Sequence, residues 1–181
     1  MRFVFLGPPG SGKGTQAERY CRTRDCRHVS TGELLREAIE AETALGRDAS
    51  SYMDRGDLVP DAVILGLIEE TLGGESRPVL LDGFPRNLAQ ARDLDRLLKD
   101  RGEKVNKAVY LRADEDELIR RLLERGRSDD TMDTVLNRLK VYKENTLPLI
   151  DYYRGHGVLA EIDGMGDIAA IQTRVAAALN G

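Results

Sequence analysis

Apolar residues fall into two alternating patterns along this chain. Short continuous runs, Phe3-Val4-Phe5-Leu6, Val79-Leu80-Leu81 and Ala108-Val109-Tyr110-Leu111, suit strands covered on both faces, because a strand with one solvated face would alternate apolar and polar. Between them, apolar positions recur every three or four residues, as in Leu118, Ile119, Leu122 and Leu123, the spacing of a helix with one buried face. The pattern predicts strands over 2–6, 27–29, 78–82, 105–112 and 157–162, and helices over 13–24, 31–41, 46–54, 61–72, 87–101, 114–125, 130–153 and 167–179. Strands that alternate with helices imply a three-layer α/β fold, a central parallel sheet of about five strands flanked by helices. In such sheets ligands sit beyond the carboxyl ends of the strands, so the residues just after each strand carry the functional information.

Composition narrows the classes. A chain of 181 residues with 32% charged residues fits one domain over 1–181 with a sizeable core rather than a disordered segment. The net charge of −4 gives no global basic field for nucleic acid, and no apolar run is long enough to span a membrane. The first residues enter a strand directly, without a cleavable leader pattern, so a cytoplasmic protein is expected. Cys21 and Cys26 are spaced too widely for a C-x-x-C zinc site and have no second ligand pair. They are expected as free thiols in a reducing compartment, and no zinc is expected.

Gly7-Pro-Pro-Gly-Ser-Gly-Lys-Gly-Thr15 follows the first strand and opens a helix. Strand, glycine-rich turn and helix together make a phosphate-binding loop. Successive glycines let backbone N–H groups converge on an anion, the helix adds its unpaired amides, and Lys13 supplies a compact charge. Gly10, Ser11, Gly12, Lys13, Gly14 and Thr15 are the candidate phosphate ligands. Gly14 stands where most such loops carry Ser or Thr, and a hydroxyl comes only at Thr15. The strand 78–82 ends in Asp82, followed by Gly83-Phe-Pro-Arg86; an apolar strand delivering an Asp beside a phosphate loop resembles the element that holds Mg²⁺ directly or through water.

The motif GPPGSGKGT, with STGELLR (30–36), YMDRGDLVPD (52–61) and DGFPRNLAQ (82–90) in that order, resembles the adenylate kinases, within the P-loop nucleoside monophosphate kinases. The resemblance runs from the phosphate loop to about Tyr153 and more loosely through Gly166. It implies a helical lobe over 30–59 that closes on a nucleoside monophosphate, and a very short lid over 126–130. It further implies Mg²⁺ with ATP as co-substrate, the ion held largely by phosphate and water with Asp82 as the one protein group placed for it. On the acceptor side it assigns Thr31, Gly32, Arg36, Asp57, Leu58, Val59, Gly83, Phe84, Pro85, Arg86, Gln90, Arg127 and Arg138 to AMP. On the donor side it adds Arg121, Arg125 and Gly166 to the phosphate loop, with Lys13, Arg86, Arg121, Arg127 and Arg138 as catalytic groups. Thr31 stands where the related UMP/CMP kinases usually carry Ala.

Arg121, Arg125, Arg127 and Arg138 gather around one corner with Asp129 and Asp130, and RLLERG, RSDD and NRLKVY resemble a short-lid adenylate kinase. Arg125, Gly126 and Arg127 are contiguous, a corner tighter than in most short-lid members. The acidic pair is expected to orient the arginines through charge-assisted bonds.

The inventory of bases gives an independent argument. Only His28 and His156 are present, and neither is placed by its sequence context for proton abstraction; Asp82 is the one candidate base. An alcohol or water nucleophile needs a base, whereas a monophosphate is already ionised. Many arginines and few bases suit phosphoryl transfer to a phosphate. The leading expectation is Mg·ATP + AMP ⇌ 2 ADP, by a monomer that binds ATP, AMP and ADP. The alternatives are another small-molecule P-loop kinase, such as a UMP/CMP kinase, and a non-catalytic nucleotide-dependent switch.

Overall fold

The computed structural model describes residues 1–127 and 129–180. Ser128, inside the expected lid over 126–130, and Gly181 lie outside the described residues. The elements, in chain order, are β1 (Arg2–Leu6), α1 (Lys13–Arg24), β2 (Arg27–Ser30), α2 (Thr31–Glu40), α3 (Ala44–Arg55), α4 (Asp61–Leu72), β3 (Val79–Asp82), α5 (Leu88–Asp100), β4 (Val105–Arg112), α6 (Glu115–Arg125), α7 (Met132–Val141), a π-helical turn (Tyr142–Thr146), α8 (Leu149–Gly155), β5 (Leu159–Asp163) and α9 (Ile168–Asn180).

The five strands form one sheet in the order β2-β3-β1-β4-β5, every pair parallel. Successive side chains leave a strand on opposite faces. Val4 and Leu6 of β1 therefore join a core with Val79, Leu81, Ile68 and Leu94, under α4, α5 and α8. Phe3 and Phe5 point the other way, against Leu80, Val109, Ala17, Ile171 and Val175 beneath α1 and α9. This three-layer architecture is the fold class the hydrophobic pattern implies. Register pairs Phe5 with Asp82 and Ser30 with Asp82, so the end of β3 lies directly between the end of β2 and the chain entering the glycine-rich loop. The connection leaving β1 (α1) and the one leaving its neighbour β3 (α5) run on opposite faces of the sheet, and ligand crevices form at such points.

Three expectations are corrected. The single helix expected over 130–153 is broken into α7, the π turn and α8. Pro148 has no N–H to give, and in an uninterrupted α-helix its ring would press on the carbonyl four residues back. The chain widens instead, and the Leu147 N–H donates to the Tyr142 carbonyl at 2.9 Å. β5 begins at Leu159 rather than 157, because Gly157 turns the chain with φ of 69°. Cys21 and Cys26 are joined in a disulfide, not free. Asp25 takes a left-handed conformation at the end of α1, which folds Cys26 back to a Cα–Cα distance of 4.4 Å from Cys21.

α2 and α3 stand out from the sheet as a packed pair. Ser30 caps α2 by accepting from Glu33 N–H at 3.4 Å, and Thr43 caps α3 by accepting from Gly46 N–H at 3.0 Å. α3 thus starts two residues earlier than its apolar periodicity indicates. A Cβ at Gly46 would stand 2.1 Å from the Ala38 carbonyl oxygen, so the close crossing of these helices requires glycine there. Gly46→Ala is expected to lose roughly 1–3 kcal/mol through overpacking; denaturant unfolding beside the wild type measures it, and an unchanged midpoint would contradict so tight a contact.

Candidate active site

The glycine-rich loop runs from β1 into α1. Gly7 has φ of 147°, and a Cβ there would lie 2.7 Å from the Leu111 carbonyl oxygen, so only glycine lets the loop pass this close to β4. α1 then begins at Lys13, and its first-turn amides, which have no acceptors within the helix, face out of the loop. The Lys13 ammonium donates to the carbonyls of Gly7 at 2.7 Å and Pro8 at 2.8 Å. Burial in the cleft lowers its pKa to about 8, against the opposing attraction of Asp82 and with further repulsion from Arg86 and Arg125.

Asp82 lies beneath the loop. Burial acts to raise its carboxyl, but the His28 contact, Lys13 and Arg86 outweigh burial and hold it below the usual carboxylate range. His28 Nε2 stands 3.5 Å from Asp82 Oδ2 on the neighbouring strand. Nothing in the sequence signals this contact, since it depends on the order of strands in the sheet.

A cleft of about 850 Å³ opens at the carboxyl ends of the strands. It is lined by Gly10, Ser11, Gly12, Lys13, Gly14, Thr15 and Asp82, by Thr31, Gly32, Arg36, Asp57, Leu58 and Val59, by Gly83, Pro85, Arg86 and Gln90, and by Arg121, Arg125, Arg127, Arg138 and Gly166. All the expected site residues meet there except Phe84, whose ring is fully buried in the core with Leu81 and Leu94. The Phe84 ring packs inward, while Gly83 and Pro85 on either side of it line the cleft.

Several side chains are tied down before any ligand is considered. Thr31 Oγ1 donates to the Gly83 carbonyl at 3.0 Å. The amide of Gln90, buried with 2% exposure, accepts from Arg86 N–H at 2.7 Å and donates to Asp61 Oδ1 at 2.7 Å. Arg86 Nε donates to the Gly83 carbonyl at 2.8 Å, and its guanidinium faces the cleft. The surrounding protein, with Arg138 and Arg36 nearby, lowers its pKa despite the attraction of Asp82.

The corner between α6 and α7 is built on Asp130, whose carboxylate is fully covered. It accepts from Arg125 Nε at 2.8 Å and Nη2 at 2.6 Å, from Arg138 Nη1 at 2.9 Å and from Arg127 N–H at 3.3 Å. Arg138 also pairs with Asp129. Here both acidic residues orient arginines, as their spacing suggests. α7 meanwhile grips the end of α3: Thr134 Oγ1 donates to the Asp54 carbonyl at 3.0 Å and Asn137 Nδ2 to the Arg55 carbonyl at 2.8 Å. Sequence reasoning does not single out Arg120, Glu117, Tyr142 or Thr146 for the cleft, yet all four line it. Glu117 accepts from Arg120 and from Arg121, the latter at 2.7 Å, and these bonds push its carboxyl down to about 2.

The glycine-rich loop, the Asp at the end of the adjacent strand and the parallel sheet define a P-loop nucleotide-binding protein. The sequence model of the family described as adenylate kinase matches residues 5–158. An adenylate kinase of Synechococcus sp. (strain WH7803) is 47% identical over 180 residues, covering 99% of this chain and 98% of that protein. An adenylate kinase of Thermus thermophilus is 48% identical over 180 residues, covering 97% and 95%, and one of Prochlorococcus marinus (strain MIT 9211) is 43% identical over 179 residues, covering 98% and 96%. The chain belongs to the adenylate kinase family.

Asp130 gives the corner a pH dependence. Although burial acts to raise its carboxyl, the bonds and charge of Arg125 and the other donors hold it below 3.8 in the folded protein. Its contribution to stability is therefore fully present above 3.8 and is lost as pH falls through the folded value. Asp130→Asn should flatten the acid limb of the stability curve, read by thermal unfolding across that range; an acid limb as steep as the wild type's would contradict it.

Proposed function

We propose that this chain catalyses reversible transfer of the terminal phosphoryl group of ATP to AMP, giving two ADP. One observation carries the reading: a single cleft sets the glycine-rich loop and Lys13 against a second group of cations, Arg36, Arg86 and Arg138. Arg125 neighbours Lys13, and Arg127 neighbours Arg125 and Arg36, so the two groups are continuous. Such a cleft accepts two polyanions end to end. Membership of the adenylate kinase family supports the same reaction.

In this reading the loop amides, Lys13 and Thr15 bind the donor phosphates, with Arg121, Arg125 and Gly166 toward the rest of ATP. Arg36 and Arg86 grip the acceptor phosphate. Thr31, Gln90 and the backbone over 56–59 face its nucleoside. The segment 30–59 is the acceptor lobe and 126–130 the lid. The acceptor oxygen is already ionised, so the protein has no proton to remove. Its task is to hold two anions in line and to offset charge on the transferring group, which Lys13, Arg86, Arg127 and Arg138 do as oriented cations. Asp130 fixes the Arg138 guanidinium and the Arg127 backbone before the substrates arrive, lowering the reorganisation needed at the reaction step.

Magnesium fits the residues present only as an ion carried mainly by phosphate. Among the described residues no cluster of three His, Cys, Asp or Glu side chains could hold one. A Cβ on Gly14 would stand 3.3 Å from Asp82 Oδ2; the glycine leaves the space that a water between carboxylate and ion would need. Bound there, Mg²⁺ supplies charge neutralisation across the outer phosphates. No helix among the described residues is long and apolar enough to cross a membrane. A monomer and a cytoplasmic setting belong to the same proposal.

A coupled assay with ATP and each monophosphate tests the reaction: AMP should be strongly preferred, whereas comparable rates with CMP would favour the pyrimidine reading. Lys13→Met should fold and lose at least about a hundredfold in turnover, the scale of one charged transition-state contact. Lys13 also predicts a proton linkage. Its pKa near 8 must rise when anionic phosphate arrives, so ATP binding just above pH 8 should take up protons and weaken as pH rises. Calorimetry in two buffers of different ionisation enthalpy reads the uptake, which should vanish in Lys13→Met.

A further inference from the structure

The π turn over Tyr142–Thr146 borders the cleft with both Tyr142 and Thr146. Thr146, only 9% exposed, donates its hydroxyl to the Arg86 carbonyl at 2.7 Å, across 60 positions of sequence. Arg86 is thereby held from three sides: by Thr146 at its carbonyl, by Gln90 Oε1 at its N–H and by the Gly83 carbonyl at its Nε. Two of these partners are local to the β3–α5 connection. Thr146 alone comes from the stretch of chain that also carries Arg138.

The wide turn matters for the direction of that hydroxyl. An α-helix advances one residue per roughly 100° of rotation. A π turn inserts one extra residue into that sequence, and such insertions recur at functional sites. In a continuous α register the residue presented to Arg86 would change, and Thr146 would point about 100° away. Pro148 enforces the wider turn, and the turn aims Thr146 at Arg86.

We propose that Thr146 is a positioning residue for phosphoryl transfer: its hydroxyl sets the backbone of Arg86 and so the aim of that guanidinium at the acceptor phosphate. The proposal rests on the reading of Arg86 as an acceptor-phosphate ligand. Thr146→Val keeps the shape and removes the donor, leaving the Arg86 carbonyl unpaired. Thr146→Ser keeps the donor.

The test is a double-mutant cycle in steady-state kinetics with Thr146→Val, Thr146→Ser, Arg86→Ala and the Thr146→Val/Arg86→Ala double variant, folding checked by circular dichroism. Thr146→Val should raise the KM for AMP or lower kcat by about fivefold or more, with the KM for ATP unchanged. Thr146→Ser should restore near-normal values. In the Arg86→Ala background the Thr146→Val effect should disappear, because a residue that acts through Arg86 has nothing left to position. An additive double variant, a loss that falls equally on ATP, or a fully active Thr146→Val would each overturn the proposal. If Arg86→Ala itself leaves AMP use intact, the reading of Arg86 fails first, and this outcome is separate from the others. Should Thr146→Val not fold, the same cycle with Thr146→Ala applies the same criteria.

Discussion

Eight cationic side chains line one cleft, and holding that much like charge together, partly out of water, is the constraint around which the site is built. Burial lowers the proton affinity of both Lys13 and Arg86, and neighbouring cations add to it, against the attraction of Asp82. A cleft of this kind holds together because a few carboxylates are placed among the cations. Asp82 attracts both Lys13 and Arg86, and Asp130 engages Arg125 and Arg138. The remaining imbalance suits phosphate groups as counter-ions.

The sheet makes that crowding geometrically possible. Parallel strands put all their carboxyl ends on one edge, so β1, β2 and β3 deliver the glycine-rich loop, Ser30-Thr31 and Asp82-Gly83 to adjacent places. Antiparallel strands would scatter these segments to opposite ends. The corner between α6 and α7 lends Arg125 and Arg127 to the cleft, while Thr134 and Asn137 tie α7 to the end of α3. The two helical parts that border the cleft are thus in direct contact.

Much of this was legible in the residues alone. Continuous apolar runs marked β1, β3 and β4, because strands buried on both faces cannot alternate, and the helical spacing placed α1, α4 and α5 within a residue or so. The glycine-rich loop was readable because its glycines and lysine do their work within one turn of chain. The cleft residues were legible through resemblance, which transmits positions without explaining them. Phe84 shows the limit: the motif carries no sign that its ring is buried in the core.

By itself, then, the sequence determined what depends on neighbours along the chain: element type, the phosphate loop, and the supply of many arginines with few bases. Tertiary structure decided what depends on which segments become neighbours in space. The His28–Asp82 contact requires β2 to lie beside β3. The Cys21–Cys26 bond requires the left-handed turn at Asp25. The aim of Thr146 at Arg86 requires a π turn and the docking of that turn on the β3–α5 connection. Periodicity records which face of a segment is buried, but it carries no information about the partner on the other side of that face; only packing supplies it.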